Sequence, residues 1–387
     1  MSIYFVYALG FFSSVGIFAA QIILSLYALK LGAGPFAIGV LGGCFALFPM
    51  ALAVQAGRVV DRIGPRKPMT LGAIVSGIGM LVPFFFPSLP AVYIAAVLSG
   101  LAAICFNLAT QNIVGLLSTP ETRARYFSNY TLMNSLANFI GPLGGGFIID
   151  HWGHGAACLF LSAITLAPLT MLAARGHLLP GGARASTKPA AGAGGVRAML
   201  ADPIVLRTLI TGGLLNSGLN LFQVYVPVYG HSIGLSASAI GIVLAMNSAA
   251  AFVVRFGLPQ IIRKFGEARI LATAFFAGAA SLSLFPLFHQ PVMLALLAFG
   301  FGLGMGGGQP IVLMQMFSNS RDGRSGEALG LKFTANQLTK MVSPVVFGAI
   351  AAAIGLSPMF WLNAALMVCG GMMSRPSVNP IGRRPES

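Results

Sequence analysis

Apolar runs of about twenty residues, each long enough to cross a ~30 Å hydrocarbon layer as a helix, recur from one end of this chain to the other. No other feature narrows the fold so far. In hydrocarbon every backbone N–H and C=O must be paired internally, so a chain built of such runs folds as a bundle of helices. Twelve runs are legible, at 4–29, 36–57, 68–87, 90–117, 124–149, 155–175, 204–230, 236–258, 268–288, 291–317, 327–354 and 358–374. With 56% of its 387 residues hydrophobic and 8% charged, the chain is too apolar for a soluble domain. The predicted class is an all-α membrane protein with 12 transmembrane helices. The first run lacks a basic start and outlasts a signal-peptide core, so it reads as helix 1.

The net charge of +15 points to topology rather than to nucleic acid, because the charges are sorted by side. With helix 1 entering from the cytoplasm, the loops on that side hold Arg58, Arg62, Arg66, Lys67, Arg123, Arg125, Arg263, Lys264 and Arg269 among others, while the far side keeps Lys30. This is the positive-inside pattern, and it puts both termini in the cytoplasm. The four cysteines, Cys44, Cys105, Cys158 and Cys369, fall in separate apolar runs with no CxxC, and read as small core residues. The five histidines sit near loops without HExxH spacing, so neither a metal nor another cofactor is expected.

A constant shift of 202 residues carries Tyr27 onto Tyr229, Gly39 onto Gly241, Gly64 onto Gly266, Gly100 onto Gly302, Asn134 onto Asn336 and Pro142 onto Pro344. Each half therefore holds six helices, and because six is even the two copies lie the same way up. This is the parallel-repeat plan, with an axis along the membrane normal. The expected division is an N-terminal bundle at 1–176, a cytoplasmic linker rich in Gly, Ala and Pro at 177–200, and a C-terminal bundle at 201–387.

Between helices 2 and 3 the stretch GRVVDRIGPRK places five charges in eleven positions. Gly57 permits close backbone approach where helix 2 ends, Gly64 a tight turn, and Asp61 can face a neighbouring helix N-terminus while pairing with a base of its own loop. Gly57, Asp61, Arg62, Gly64, Arg66 and Lys67 resemble the signature loop of the major facilitator superfamily (MFS), and with the twelve runs and the repeat the resemblance covers essentially the whole chain. It implies that this loop latches the two halves on the cytoplasmic side when a carrier faces outward. The second copy is degenerate: Pro259, Arg263 and Ala268 replace Gly57, Asp61 and Arg66. Arg255, four residues before Pro259, is similar to a common helix 8 arginine of the family and is expected to make a structural contact rather than bind substrate.

Gly141, Pro142, Gly145 and Gly146 in helix 5 resemble the core of a motif that marks antiporter and efflux branches of the superfamily. Pro142 bends the helix, and the glycines are expected to let it pack tightly against the other half. Ala137 and Ser128 occupy positions where the fuller motif has glycine. Helix 4 carries Ser99, Gly100 and Leu101 near where proton-coupled relatives have Arg-x-x-Gln-Gly, which bears on the proton route.

Polar side chains at membrane depth are the default functional candidates. Helix 11 offers Lys332, Asn336 and Lys340 on one face, and the shift matches them with Tyr130, Asn134 and Asn138 of helix 5. Gln21, Asn107, Gln111, Asn216, Asn220, Gln223 and Gln309 stand in helices 1, 4, 7 and 10, which line the cavity in the superfamily that the chain resembles. Phe106, Phe222 and Tyr225 are candidates for an aromatic wall. No Asp or Glu lies deep in any run. Lys340 is then open to three readings: a proton carrier, a ligand for a substrate anion, or a donor to helix carbonyls or Asn138.

The expected protein is a monomeric secondary carrier in a bacterial inner membrane that moves a small molecule by alternating access. The favoured direction is proton-coupled export of an amphipathic or anionic compound. The alternative is an uptake symporter for an organic anion. An integral-membrane enzyme or a transport-dead sensor finds less support, because neither a nucleophile cluster nor an added soluble domain is legible.

Overall fold

Glycines decide where these helices stop. In a computed structural model that describes residues 3–176, 179, 201–318 and 325–375, six glycines adopt the left-handed φ that other residues avoid. Gly32, Gly64 and Gly153 have φ of 86°, 79° and 80°, and Gly234, Gly266 and Gly355, each 202 residues on, have 79°, 78° and 95°. They end corresponding helices of the two halves. The side chains at 53–58, 60–62, 120–121, 123–124, 127–128, 259, 317–318 and 325–330 lie outside the description.

The elements are α1 Ile3–Lys30, α2 Pro35–Ile63, α3 Arg66–Phe85 and α4 Leu89–Leu117, followed by a run Pro120–Arg175. Gly153 divides that run into α5 (120–152) and α6 (154–175) without an intervening loop. The second half holds α7 Pro203–Ser232, α8 Ala237–Phe265, α9 Glu267–Leu284, α10 in two pieces (Pro291–Met305 and Gly308–Ser318), α11 Ser325–Ile354 and α12 Leu356–Ser374. No strand occurs among the described residues. Their starts carry the expected chemistry: Pro at the first helical position of α2, α5, α7 and α10, and side-chain caps from Thr119, Asp202 and Ser236.

Packing repeats with the same shift. Where Gly16 of α1 leaves room for Thr165 of α6, Gly218 of α7 leaves room for Met367 of α12. Where Gly100 of α4 lies on the Phe45 carbonyl of α2, Gly302 of α10 lies on the Asn247 carbonyl of α8. Small residues that admit a neighbouring backbone are what drives close helix packing in lipid. The two bundles meet along two seams, α2 with α11 and α5 with α8. Gly39 faces the Pro344 carbonyl in the first, and Gly241 faces the Pro142 carbonyl in the second. Large apolar side chains such as Leu71, Ile78, Phe85, Val292 and Leu296 point outward, as a lipid-facing surface requires.

The helices run alternately, so the turns that carry Arg66, Lys67, Arg263, Lys264 and Arg269 gather at one end, the basic face, and Lys30 stands at the opposite face. The Gly39 and Gly241 contacts lie near the starts of α2 and α8, and so on the opposite-face side of the molecule.

Candidate functional site: a central amide-lined cavity

A cavity of about 480 Å³ lies between the bundles. The first half supplies Ser14, Phe18 and Gln21 from α1, Phe45 and Pro49 from α2, Asn107 and Gln111 from α4, and Asn134 and Asn138 from α5. The second half supplies Asn216, Asn220 and Gln223 from α7, Asn247, Ser248 and Arg255 from α8, Gly306 and Gln309 from α10, and Phe333, Asn336, Gln337 and Lys340 from α11. Most of these positions fall in the middle or the basic-face half of their helices, beyond the seam contacts that close the opposite face. The cavity is therefore disposed toward the basic face.

Of the polar residues expected on this wall, Tyr130 and Lys332 stand apart. Tyr130 is 7% exposed and donates from its hydroxyl to Asn107 Oδ1 at 2.9 Å, so it orients a lining amide from behind. Lys332 is half-buried two turns toward the basic face and does not line the cavity. The aromatic wall is also displaced. Phe222 stacks on Phe301 with centroids 4.6 Å apart, Tyr225 donates to the Pro344 carbonyl at 2.5 Å, and Phe106 packs beside Gly72, all of them buried. Phe18, Phe45 and Phe333 supply the aromatic surface instead. Hydrophobicity places an aromatic ring inside, but the sequence alone does not distinguish the helix core from the cavity.

Several amides are spent on holding helices together. Ser14 donates to Asn134 Oδ1 at 2.8 Å, and in the other half Asn216 donates to the Asn336 carbonyl at 2.9 Å, a pair at matching repeat positions. Asn220 donates to the Lys340 carbonyl at 3.1 Å, and Gln223 donates to Asn138 Oδ1 at 3.1 Å across the two halves. Gln223 thus occupies the Asn138 oxygen that was one expected partner of Lys340. The Lys340 side chain is exposed to the cavity at the middle of the 30-residue α11, and no carboxylate is among the lining residues. The acids with described side chains, Asp150, Asp202 and Glu267, all stand at helix ends.

The helix 5 glycines face two ways. Gly141 and Gly145 turn to α1 within their own half, where an added Cβ at Gly141 would sit 2.9 Å from Ala19 N. Pro142 and Gly146 face α8, against Gly241 and the Ala237 carbonyl. The expected seam is thus made by half of the motif, and the remainder packs the bundle. At the end of α5, Asp150 accepts from the backbone N–H groups of Ala237 at 2.9 Å and Ser238 at 2.8 Å, capping α8 from the facing half. The partner of Asp150 is distant in sequence, and nothing local announces it.

Gly57, Asp61 and Arg62, expected in a loop, fall in the last turns of α2, which runs on to Ile63; their side chains lie outside the description, as do those at the start of α11. Gly64 makes the turn with φ 79°, and Arg66 lies over Gly176 at the end of α6, within its own half, while Lys67 is exposed. Arg255 makes structural contacts and also lines the cavity. α10 breaks at Gly306 and Gly307, and Pro310 lacks the N–H that would have bonded the Gly306 carbonyl. Arg255 Nε donates to that carbonyl at 3.4 Å, and its Nη1 donates to Ser135 Oγ of α5 across the seam. Asn247, Ala251 and Arg255, spaced four apart, bring one face of α8 onto the cavity. That spacing was legible in advance; Asn247, Ser248 and Gln337 were passed over.

Residues 6–344 match the family model described as Major Facilitator Superfamily. Among curated proteins, the Staphylopine export protein of Staphylococcus aureus is 27% identical over 168 residues, 43% of this chain and 40% of that one. Multidrug resistance protein 2 of Bacillus subtilis is 24% identical over 251 residues, 62% of each. The matched segments thus span less than two thirds of these relatives. Among solved structures, a mutant of the nucleoside transporter NupG superposes with a TM-score of 0.80 at 11% identity, covering 96% of this chain and 98% of that one. The peptide transporter POT in complex with sulfate gives 0.77 at 15% identity, covering 96% and 93%. At these identities the likeness is one of fold.

Proposed function

The chain belongs to the Major Facilitator Superfamily, and from that premise we propose that it is a secondary carrier that exports a small anionic compound in exchange for protons. The observation that carries this reading is Lys340: a cationic side chain at mid-helix depth, facing a cavity whose lining holds amides, apolar groups and no carboxylate. A cation at that depth with no carboxylate beside it costs at least about 2.5–3.5 kcal/mol. A substrate anion supplies the missing counter-charge.

Export is supported by the relatives described as export and multidrug resistance proteins, and by the helix 5 motif. In this reading the basic face is cytoplasmic, so the structure holds an inward-facing state ready to load. The end of α2 and the turn to α3, from Gly57 to Lys67, then close the basic face in the outward-facing state, and the small-residue contacts of both seams close the opposite face now.

Thermal stability of the purified protein with anionic, zwitterionic and cationic small molecules tests this reading, because a ligand of the folded state raises apparent stability by mass action. Anions should stabilise the wild type, and Lys340→Gln should weaken their binding by about tenfold or more, the worth of one charge-assisted hydrogen bond. Stabilisation by lipophilic cations alone, equal in both proteins, would overturn the anion assignment.

A further inference from the structure

Lys340 is not the only cation on the cavity wall. Arg255 lines it from α8, and its two described hydrogen bonds, from Nε to Gly306 O and from Nη1 to Ser135 Oγ, go to neutral acceptors. A guanidinium carries five N–H donors in a planar fork suited to a carboxylate or phosphate. Nη2 makes no hydrogen bond to a described residue, so one edge of that fork remains unused. Both charges stand on the second half, while the facing wall offers neutral amides from Gln21, Asn107 and Gln111. A third signal lies on the same face of α8 as Arg255, two turns away. Asn247 is 7% exposed and lines the cavity, and its Oδ1 has no hydrogen-bond partner. A buried acceptor left unmet calls for a donor from whatever fills the space.

We propose that the transported compound is a diacid whose two anionic groups are held separately, one by Lys340 and one by Arg255, with a hydroxyl or amine of its body donating to Asn247 Oδ1. This rests on the anion-export reading and narrows it. Arg255 is then a binding residue as well as the donor that satisfies the break in α10. A monoanion meets one cation and leaves the other without a counter-charge, so the site discriminates by number of charges as much as by shape. The facing amides suit a hydrophilic body rather than a lipophilic one.

The test uses the full chain in detergent at fixed ionic strength and compares straight-chain dicarboxylates of four to eight carbons with monocarboxylates of equal length, by thermal stabilisation. At the best-fitting length the diacid should bind the wild type about tenfold tighter than its monoacid. Arg255→Gln should erase that preference while retaining monoacid binding, Arg255→Lys should restore part of it, and Lys340→Gln should weaken both classes. The ratio of diacid to monoacid is a readout that a merely structural arginine leaves unmoved, even where the variant is less stable. Diacids and monoacids binding alike at every length, with Arg255→Gln unchanged in ratio, would overturn the two-point site and leave the anion reading standing. Failure of all the acids, with binding of tetraphenylphosphonium instead, would overturn both. Malate should bind tighter than succinate in the wild type and equally in Asn247→Leu; equal binding in the wild type removes Asn247 from the site.

Discussion

Single glycines in this protein differ sharply in what their missing Cβ is for. At Gly241 an added Cβ would sit 2.6 Å from the Pro142 carbonyl of the other half, whereas at Gly144, on the same seam helix as Pro142, nothing lies within 4 Å. Alanine at Gly241 should therefore push α8 off α5 and cost about 1–3 kcal/mol, as overpacking of a tight contact does. Alanine at Gly144 should stabilise by up to about 1 kcal/mol, because glycine in a helix interior is the weaker helix former. Melting curves of the two variants should move in opposite directions; a shared direction would mean that the seam yields freely. The sequence identified both glycines as small and helical, and gave no means of telling which one meets a backbone. The same limit applies to Asn247, whose value lies in an unpaired oxygen, while the placing of Asn336 and Lys340 on one face of α11 was legible from spacing alone.

At the scale of elements, the joint between α5 and α8 is an electrostatic one. Asp150 closes α5 and accepts from the first two N–H groups of α8, where a helix presents its positive end. Such a cap contributes about 0.5–2 kcal/mol. Here it joins two bundles rather than one helix to its own start. Asp150→Ala should loosen the opposite face and raise the share of molecules open there, read as longer spin-label distances between the ends of α5 and α8. Unchanged distances would show that the glycine contacts close that face unaided. Helix number and order were legible because apolar length and Gly-marked ends are local properties. Two departures have local causes that are plain in retrospect. α5 and α6 are joined by a single glycine with φ 80°, and α10 breaks where three consecutive glycines precede Gln309 and Pro310. The cap by Asp150 was not legible, since it depends on a partner 87 residues away.

For the whole molecule, the sorting of charge and the position of the cavity make one joint statement about sidedness. Gln111 lines the cavity toward the basic face. In a variant with the four native cysteines replaced, Gln111→Cys should react with a membrane-impermeant maleimide in inside-out vesicles and stay protected in right-side-out cells. The reverse pattern would invert the proposed direction of loading. The repeat itself was readable from glycine spacing, and the structure carries it down to individual contacts. Yet the copies are unequal at one place that matters for motion. Where α5 ends in Asp150, α11 has Ala352 at the matching position, and where α8 offers the N–H of Ala237, α2 begins with Pro35, which has none. Tyr225 of α7 reaches that second seam instead, donating from its hydroxyl to the Pro35 carbonyl of α2 at 3.5 Å. One joint is a clasp fastened by a charge, the other is held by neutral groups. The two halves are thus fastened unequally on the opposite face, and parting there costs the α5–α8 joint a charge-assisted cap that the α2–α11 joint does not have.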